Sequence, residues 1–195
     1  RRKIYPDYKS NRKPPTRLNR QYDMTTEQQE VENMKYQLVS LIEMLECLPL
    51  TVFTMDNIEA DDVIGHIARH VLAEEDECYI VSTDKDFLQL VDEKTFVYSP
   101  TKKKLYNREL VKEEWGIYPQ NLLLFRTLDG DNSDNVPGVK GCGLKTVLKR
   151  FPELSEDREI TFDELFQICE DKKGEAKIYE DILAQKDDVL RNRQI

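Results

Sequence analysis

The chain has 195 residues, 39% of them hydrophobic, which is enough for one substantial core with a small appended subdomain. It contains no run of eighteen apolar residues and no charged start followed by an apolar stretch and a small-residue cleavage site, so neither a membrane span nor a secretory signal is expected, and the cytosol is the default compartment. A formal net charge of −9 speaks at first against a polyanionic partner.

That average hides an asymmetry. Residues 1 to 20 hold eight basic side chains (Arg1, Arg2, Lys3, Lys9, Arg12, Lys13, Arg17, Arg20) against Asp7, a local +7 that leaves −16 on the other 175 residues. A basic surface for phosphates beside an acidic cluster for cations fits this split, and a solvated basic arm fits it equally. Cys47, Cys78, Cys142 and Cys169 lie far apart with no C-x-x-C pair, so reduced, buried thiols are expected rather than a zinc or redox site. The chain opens on Arg1 rather than Met and stops at Ile195 in a charged stretch, which reads as a fragment.

In chain order, residues 1 to 24 are polar and show no hydrophobic period. Thr26 with Gln29 forms a capping box, and Val31, Met34, Leu38, Leu41, Ile42 and Leu45 recur at helical spacing until Pro49. Leu50 to Thr54 reads as a strand. Asp61 and Asp62 open a second helix with an apolar stripe of Val63, Ile64, Ile67, Ala68, Val71 and Leu72. Tyr79 to Val81 reads as a strand buried on both faces, and Thr95 to Tyr98 with Leu105 and Tyr106 as an edge hairpin. Helices are expected near 107 to 115, 119 to 128, 143 to 150, 161 to 170 and 175 to 190, Thr161 with Glu164 supplying another capping box. This order implies an α/β sheet domain followed by a helical subdomain.

Three segments concentrate acids. Glu59, Asp61 and Asp62 sit between a strand candidate and a helix start, Asp84 and Asp86 follow a strand, and Asp131 and Asp134 follow a helix. Ligand sites of open parallel sheets lie outside the carboxyl ends of the strands, so the first two clusters would share a crevice. Seven converging carboxylates repel unless cations sit between them, and all-oxygen ligands select hard ions such as Mg²⁺ or Mn²⁺, a pair of which about 3.5–4 Å apart serves in-line phosphoryl hydrolysis. Helix caps and ordinary Asp-Gly or Asn-Ser turns are the plainer reading of each cluster taken singly. An EF-hand over 129 to 140 is excluded, because Asp134 stands where Gly is needed and Lys140 where Glu is needed.

Val136 to Thr146 carries Gly138, Gly141 and Gly143 and leads into a helix, the chemistry of a helix-hairpin-helix that grips duplex phosphates without reading sequence, with Lys140, Lys145 and Lys149 supplying charge. A Walker loop fails on spacing, since Leu144 separates Gly143 from Lys145. A tight turn between helices remains the plainer alternative. His66 and His70 stand four apart but lack a third ligand and read as a solvated helix face, while Trp115 and Leu122 to Phe125 read as core.

Glu-Ala-Asp-Asp, then Thr-Asp-Lys-Asp-Phe, then Gly-Asp-Asn-Ser-Asp-Asn-Val-Pro-Gly-Val-Lys-Gly-Cys-Gly-Leu-Lys-Thr, in this order and spacing, resemble the 5′ nuclease or flap endonuclease family, which includes the 5′ nuclease domain of DNA polymerase I. Phage members are the most similar, through Arg1-Arg2 and Tyr8-Lys9-Ser10-Asn11-Arg12. The resemblance implies a PIN-like, mainly parallel twisted sheet flanked by helices over residues 1–106, with 8–25 part of an arch, and a helical DNA-binding subdomain over 107–195 with its hairpin at 130–150. It implies a metal site of Glu59, Asp61, Asp84 and Asp86, closed by Asp131 and Asp134, with Asp62 acting through water, and two Mg²⁺ or Mn²⁺ ions, with K⁺ a candidate at the hairpin. Lys9 and Arg12 would stabilise charge on the scissile phosphate. Arg1, Arg2, Tyr8, Lys13, Gly138, Lys140, Gly141, Gly143, Lys145 and Thr146 would contact DNA, with Tyr5 and Tyr8 stacking on unpaired bases.

The implied partner is DNA with a 5′ flap, a nick or a single-strand/duplex junction, or an RNA–DNA hybrid, met by a monomer in the cytoplasm of a bacterium or a phage-infected host. Family members also carry an N-terminal strand with an Asp ligand and a second Asp before the Arg-rich stretch. Neither falls within these residues, so weak or absent cleavage is expected of the chain by itself. A noncatalytic duplex-DNA-binding module is the rival reading. A ribonuclease of the related PIN fold is disfavoured, having no use for the glycine hairpin.

Overall fold

The computed structural model describes residues 1–12, 26–73 and 75–195; Lys13 and most of the expected arch lie outside the described residues. The chain divides into two compact units, Arg1–Arg12 with Ala60–Ile195, and Lys13–Glu59. Among the described residues no helix is long and apolar enough to cross a membrane.

In the second unit α1 (Glu27–Glu46) starts where the capping box predicts, with the Thr26 hydroxyl accepting from the Gln29 amide at 3.2 Å. None of its residues is buried, so its apolar stripe finds no cover among the described residues of that unit. Leu50 to Thr54 is irregular instead of a strand. A short apolar run becomes a strand only when a neighbour takes up its backbone groups, and none of the sheet pairings includes this segment.

In the first unit α2 (Ala60–His66) passes at Ile67 into a π-helical turn reaching Val71. The wider turn shifts the helical register, and Val71, expected on the apolar stripe, is exposed. A three-stranded sheet follows: β1 (Cys78–Val81) pairs parallel with β2 (Thr95–Ser99), which pairs antiparallel with β3 (Lys104–Tyr106). Among the described residues β1 lies at the edge of this sheet. Ile80 turns into the core while Tyr79 and Val81 are 54% and 68% exposed, so the strand is buried on one face and not on both as its apolar run predicts.

The helical remainder follows expectation closely, with α3 (Arg108–Trp115), α4 (Pro119–Asp129), α5 (Leu144–Arg150) and α6 (Phe162–Asp171). The helix expected over 175 to 190 is two, α7 (Lys177–Ala184) and α8 (Lys186–Asn192), broken at Gln185. The core runs through these helices and under the sheet, with Val111, Leu128, Leu165, Ile182 and Val189 fully buried. Asn121, also fully buried, is satisfied on every side it presents: its amide donates to the carbonyls of Leu154 and Arg158, and its oxygen accepts from the Ile160 amide at 2.9 Å. It thereby fixes α4 against the segment leading into α6. Leu122, Leu124 and Phe125 are core, as expected, and Trp115 packs edge-on against Phe125.

A two-residue ladder, β4 (Gly130–Asp131) with β5 (Val136–Pro137), closes the turn after α4. A side chain at Gly138 would collide with the backbone carbonyl of Asp129, so only glycine lets the hairpin return against the end of α4. We expect Gly138→Ala to cost more than about 2 kcal/mol in urea unfolding, the range of core overpacking. The thiols give a second check. Burial pushes Cys142 and Cys169 up to about 12, whereas Cys47 is exposed. At pH 8 about one buried thiol in ten thousand is a thiolate, so an aromatic disulfide reagent should label Cys47 promptly and Cys142 and Cys169 only on unfolding.

Candidate active site

The first unit encloses a cavity of about 530 Å³ whose wall carries Asp61, Asp62, Asp84, Asp86, Asp131 and Asp134. These six acids come from three places. Asp61 and Asp62 occupy the first turn of α2, Asp84 and Asp86 follow β1, and Asp131 and Asp134 belong to the β4–β5 hairpin. Glu59 is the last residue of the second unit, at the chain step that leads into α2.

Two of these acids, Asp84 and Asp131, also have local work, as the plainer reading anticipates. The Asp84 carboxylate accepts from the Asp86 amide at 2.9 Å, capping the 3₁₀ turn Lys85–Leu90. Asp131 Oδ1 accepts from the Ser133 amide at 2.7 Å, the Ser133 hydroxyl at 2.6 Å and the Asp134 amide at 3.3 Å, closing the hairpin turn. Those bonds hold Asp131 below the usual carboxylate range despite burial acting the other way. Asp86 goes up: burial disfavours its charge and Asp84 and Asp131 repel it, which the Arg126 guanidinium only partly offsets. Burial likewise raises Asp129.

Cations stand among these acids. Arg126, on α4, places one guanidinium nitrogen 3.3 Å from Asp86 Oδ1 and 2.7 Å from Asp131 Oδ2, and the other 3.8 Å from Asp129. Sequence reasoning passes over Arg126. Its spacing three before Asp129 and five before Asp131 is a visible signal, but a lone Arg on a helix is usually a surface residue.

The N-terminal segment supplies the rest. Arg1 pairs with Asp62 at 2.5 Å and lies 3.6 Å from Asp61. Arg12 pairs with Asp134, Lys9 Nζ is 3.9 Å from the same carboxylate, and the Tyr8 hydroxyl donates to it at 3.2 Å. Arg2 donates to the Tyr8 carbonyl. Tyr8 is 5% exposed with Lys9 Nζ 4.8 Å from its ring centroid, so the ring orients Asp134 and is not an open stacking face; burial raises its hydroxyl. Tyr5 lies beneath the Arg191 guanidinium.

On the hairpin Lys140, Gly141, Gly143, Lys145 and Thr146 are exposed, while Val139 and Cys142 turn inward and anchor the turn. Gly141 has φ +88, and no atom lies within 4 Å of a side chain built at Gly141 or Gly143, so this stretch presents open backbone outward. His66 and His70 are exposed with ring centroids 5.2 Å apart, and among the described residues no third ligand completes a metal set with them.

A family model described as the 5′-3′ exonuclease N-terminal, resolvase-like domain matches residues 1–116. The chain belongs to the 5′-3′ exonuclease family. The 5′-3′ exonuclease of Buchnera aphidicola (subsp. Schizaphis graminum) is 32% identical over 161 residues, 82% of this chain and 50% of that protein. DNA polymerase I of Caldicellulosiruptor bescii is 29% identical over 201 residues, all of this chain and 21% of that protein. The chain thus spans from about a fifth to half the length of these relatives. Among solved structures, a bacteriophage T5 protein co-crystallised with metal ions superposes with a TM-score of 0.76 at 22% identity, covering 98% of this chain and 67% of that one. The T5 flap endonuclease in complex with DNA and metal ions superposes at 0.73, also at 22% identity and the same coverage. These likenesses establish the PIN-like α/β fold, here built on a small mixed sheet.

The six acids of the cavity offer only carboxylate oxygen, which suits a hard divalent cation rather than a soft one.

The N-terminal segment is held to the hairpin by backbone as well as charge. The Lys9 amide donates to the Asp134 carbonyl at 2.8 Å, and the Asn135 side chain donates to the Asp7 carbonyl and the Ser10 hydroxyl, both at 3.0 Å. Asn135 has φ 59, a conformation glycine accepts, so Asn135→Gly removes the two side-chain bonds without straining the turn. Losing about 1–2 kcal/mol of docking should speed trypsin cleavage after Lys9 roughly five- to thirtyfold, read by mass spectrometry. An unchanged rate would show that these bonds do not hold the segment down.

Proposed function

We propose that this chain is the catalytic part of a divalent-metal-dependent 5′-3′ exonuclease and structure-specific flap endonuclease that hydrolyses phosphodiester bonds in branched or nicked DNA. The observation that carries the reading is the opening of three carboxylate pairs, distant along the chain, into one cavity whose wall also bears Arg1, Lys9, Arg12 and Arg126. Acids alone would suit a structural cation site. Acids with basic side chains among them suit an ion and a phosphate together.

Asp61, Asp84, Asp86, Asp131 and Asp134, with Glu59 and Asp62 beside them in sequence, are the residues that would hold two Mg²⁺ or Mn²⁺ ions. Such ions, when bound, neutralise charge developing on the phosphate and make water more acidic. The protein's own contribution is placement. Asp131, its Oδ1 tied down by Ser133 and the Asp134 amide, offers Oδ2 in a fixed direction. Lys9 and Arg12, gathered at Asp134, stand where charge can be offered to the scissile phosphate. The exposed turn from Lys140 to Thr146 provides positive charge and open backbone for the phosphates of a duplex, contacts that fix register without reading bases.

The substrates this reading favours are a 5′ flap, a nick or a single-strand/duplex junction, and RNA primers on DNA, met by a monomer in the cytoplasm. Replacing Asp84 and Asp86 together by Asn in the full gene product tests it. Removing two carboxylates that face the ions should reduce Mg²⁺-dependent cleavage of a 5′-flap substrate by about a hundredfold or more. Duplex binding should change less than about threefold, because no phosphate contact is lost. Cleavage that survives in the double variant would refute the metal assignment, and a wild-type protein that binds duplex but never cleaves would favour the binding-module reading.

A further inference from the structure

We infer that Arg126 is a resident counter-cation of this site, clamping Asp86 to Asp131 and competing with a divalent ion for the same oxygens. The inference rests on the metal-dependent reading above and concerns what guards the site before an ion arrives.

The geometry is specific. One guanidinium nitrogen reaches across from α4 to carboxylates on two separate elements, 3.3 Å to Asp86 and 2.7 Å to Asp131. Asp131 has only one oxygen to offer a cation, since Oδ1 already accepts from Ser133 and Asp134, and Oδ2 is the atom Arg126 holds. A Mg²⁺-sized ion binds oxygen at about 2.0–2.1 Å and fixes its lone pairs in an octahedral frame, so it and the guanidinium cannot use these oxygens in the same way at once.

To make way for an ion, Arg126 swings away on its long, flexible side chain. Its side chain is 30% exposed and lines the cavity, which leaves it water to swing into. Two consequences follow with opposite signs. Without metal, Arg126 relieves the repulsion between Asp86 and Asp131 and stabilises the fold. With metal, it weakens binding, setting a threshold that a doubly charged ion passes more readily than a singly charged one.

Mn²⁺ titration followed by electron paramagnetic resonance, on metal-free protein without DNA, reads this directly. Arg126→Gln should tighten Mn²⁺ binding about tenfold, within the usual span of coupling between sites, and Arg126→Lys by less. The gain should shrink when Asp86→Asn is combined with Arg126→Gln. In thermal melts Arg126→Gln should lower Tm without metal and lose that deficit at saturating Mn²⁺. Unchanged or weaker Mn²⁺ binding by Arg126→Gln, while the wild type binds Mn²⁺ and Asp86→Asn weakens it, overturns the clamp and leaves the nuclease reading standing. Wild-type protein whose Mn²⁺ binding is indifferent to Asp86→Asn overturns both. Should the Gln variant not fold, Arg126→Lys decides, and Mn²⁺ affinity equal to wild type overturns the clamp.

Discussion

The structure turns on one electrostatic constraint: six carboxylates from three stretches of the chain line a single cavity, and like charges gathered on one wall repel one another unless cations stand among them. The protein answers with its own cations. Arg126 stands between Asp86 and Asp131, Arg1 beside Asp61 and Asp62, and Lys9 and Arg12 beside Asp134. Surface ion pairs add little to stability, but here they set opposite charge beside acids that would otherwise face only one another. Asp86 stays raised despite Arg126, through burial first and the nearness of Asp84 and Asp131 after it.

Holding repelling groups close demands a stiff mount. The β4–β5 hairpin gets its stiffness from backbone that no other residue type fits at Gly138, from the Val139 amide bonded to the Leu128 carbonyl at 2.7 Å, and from α8. Asn192 donates to the carbonyls of Thr127 and Pro137, tying the end of α8 both to α4 and to the returning strand of the hairpin. Beneath it Leu128, Val147 and Val189 are fully buried. The packing of the helical core and the aim of Asp131 and Asp134 are therefore one problem, and a core change under α4 would reach the site through the hairpin.

Much of this was legible from residues alone where the determinant is local. Thr26 and Thr161 each cap a helix because a short side chain reaching back to an amide is a matter of a few residues. Six of the acids were found because each stands where an element starts or ends, and topology brings such points together. What escaped was set by partners far along the chain. The apolar run Leu50 to Thr54 met no neighbouring strand, the exposed face of β1 depends on what covers the sheet edge, and Arg126 gains meaning only once Asp86 is seen beside it. The split of the last helix at Gln185 carries no glycine or proline that could have announced it. The cover over the Tyr8 ring is likewise not legible, because an aromatic beside basic residues looks the same in sequence whether its ring is open or covered.

The net charge of −9, which first argued against a nucleic-acid partner, loses force in this setting. At physiological salt, exposed charges more than about 8 Å apart are largely screened, so a phosphate responds to the groups nearest it and not to the sum over the chain. Near the cavity those groups are alternating acids and bases, and on the exposed turn they are Lys140 and Lys145. Cations held at the cavity would offset much of the acidic excess gathered there, leaving the lysines of the turn to face a phosphate. On the proposed function, metal bound at the cavity would make the local field more favourable to a polyanion than the bare protein offers, without any change of fold.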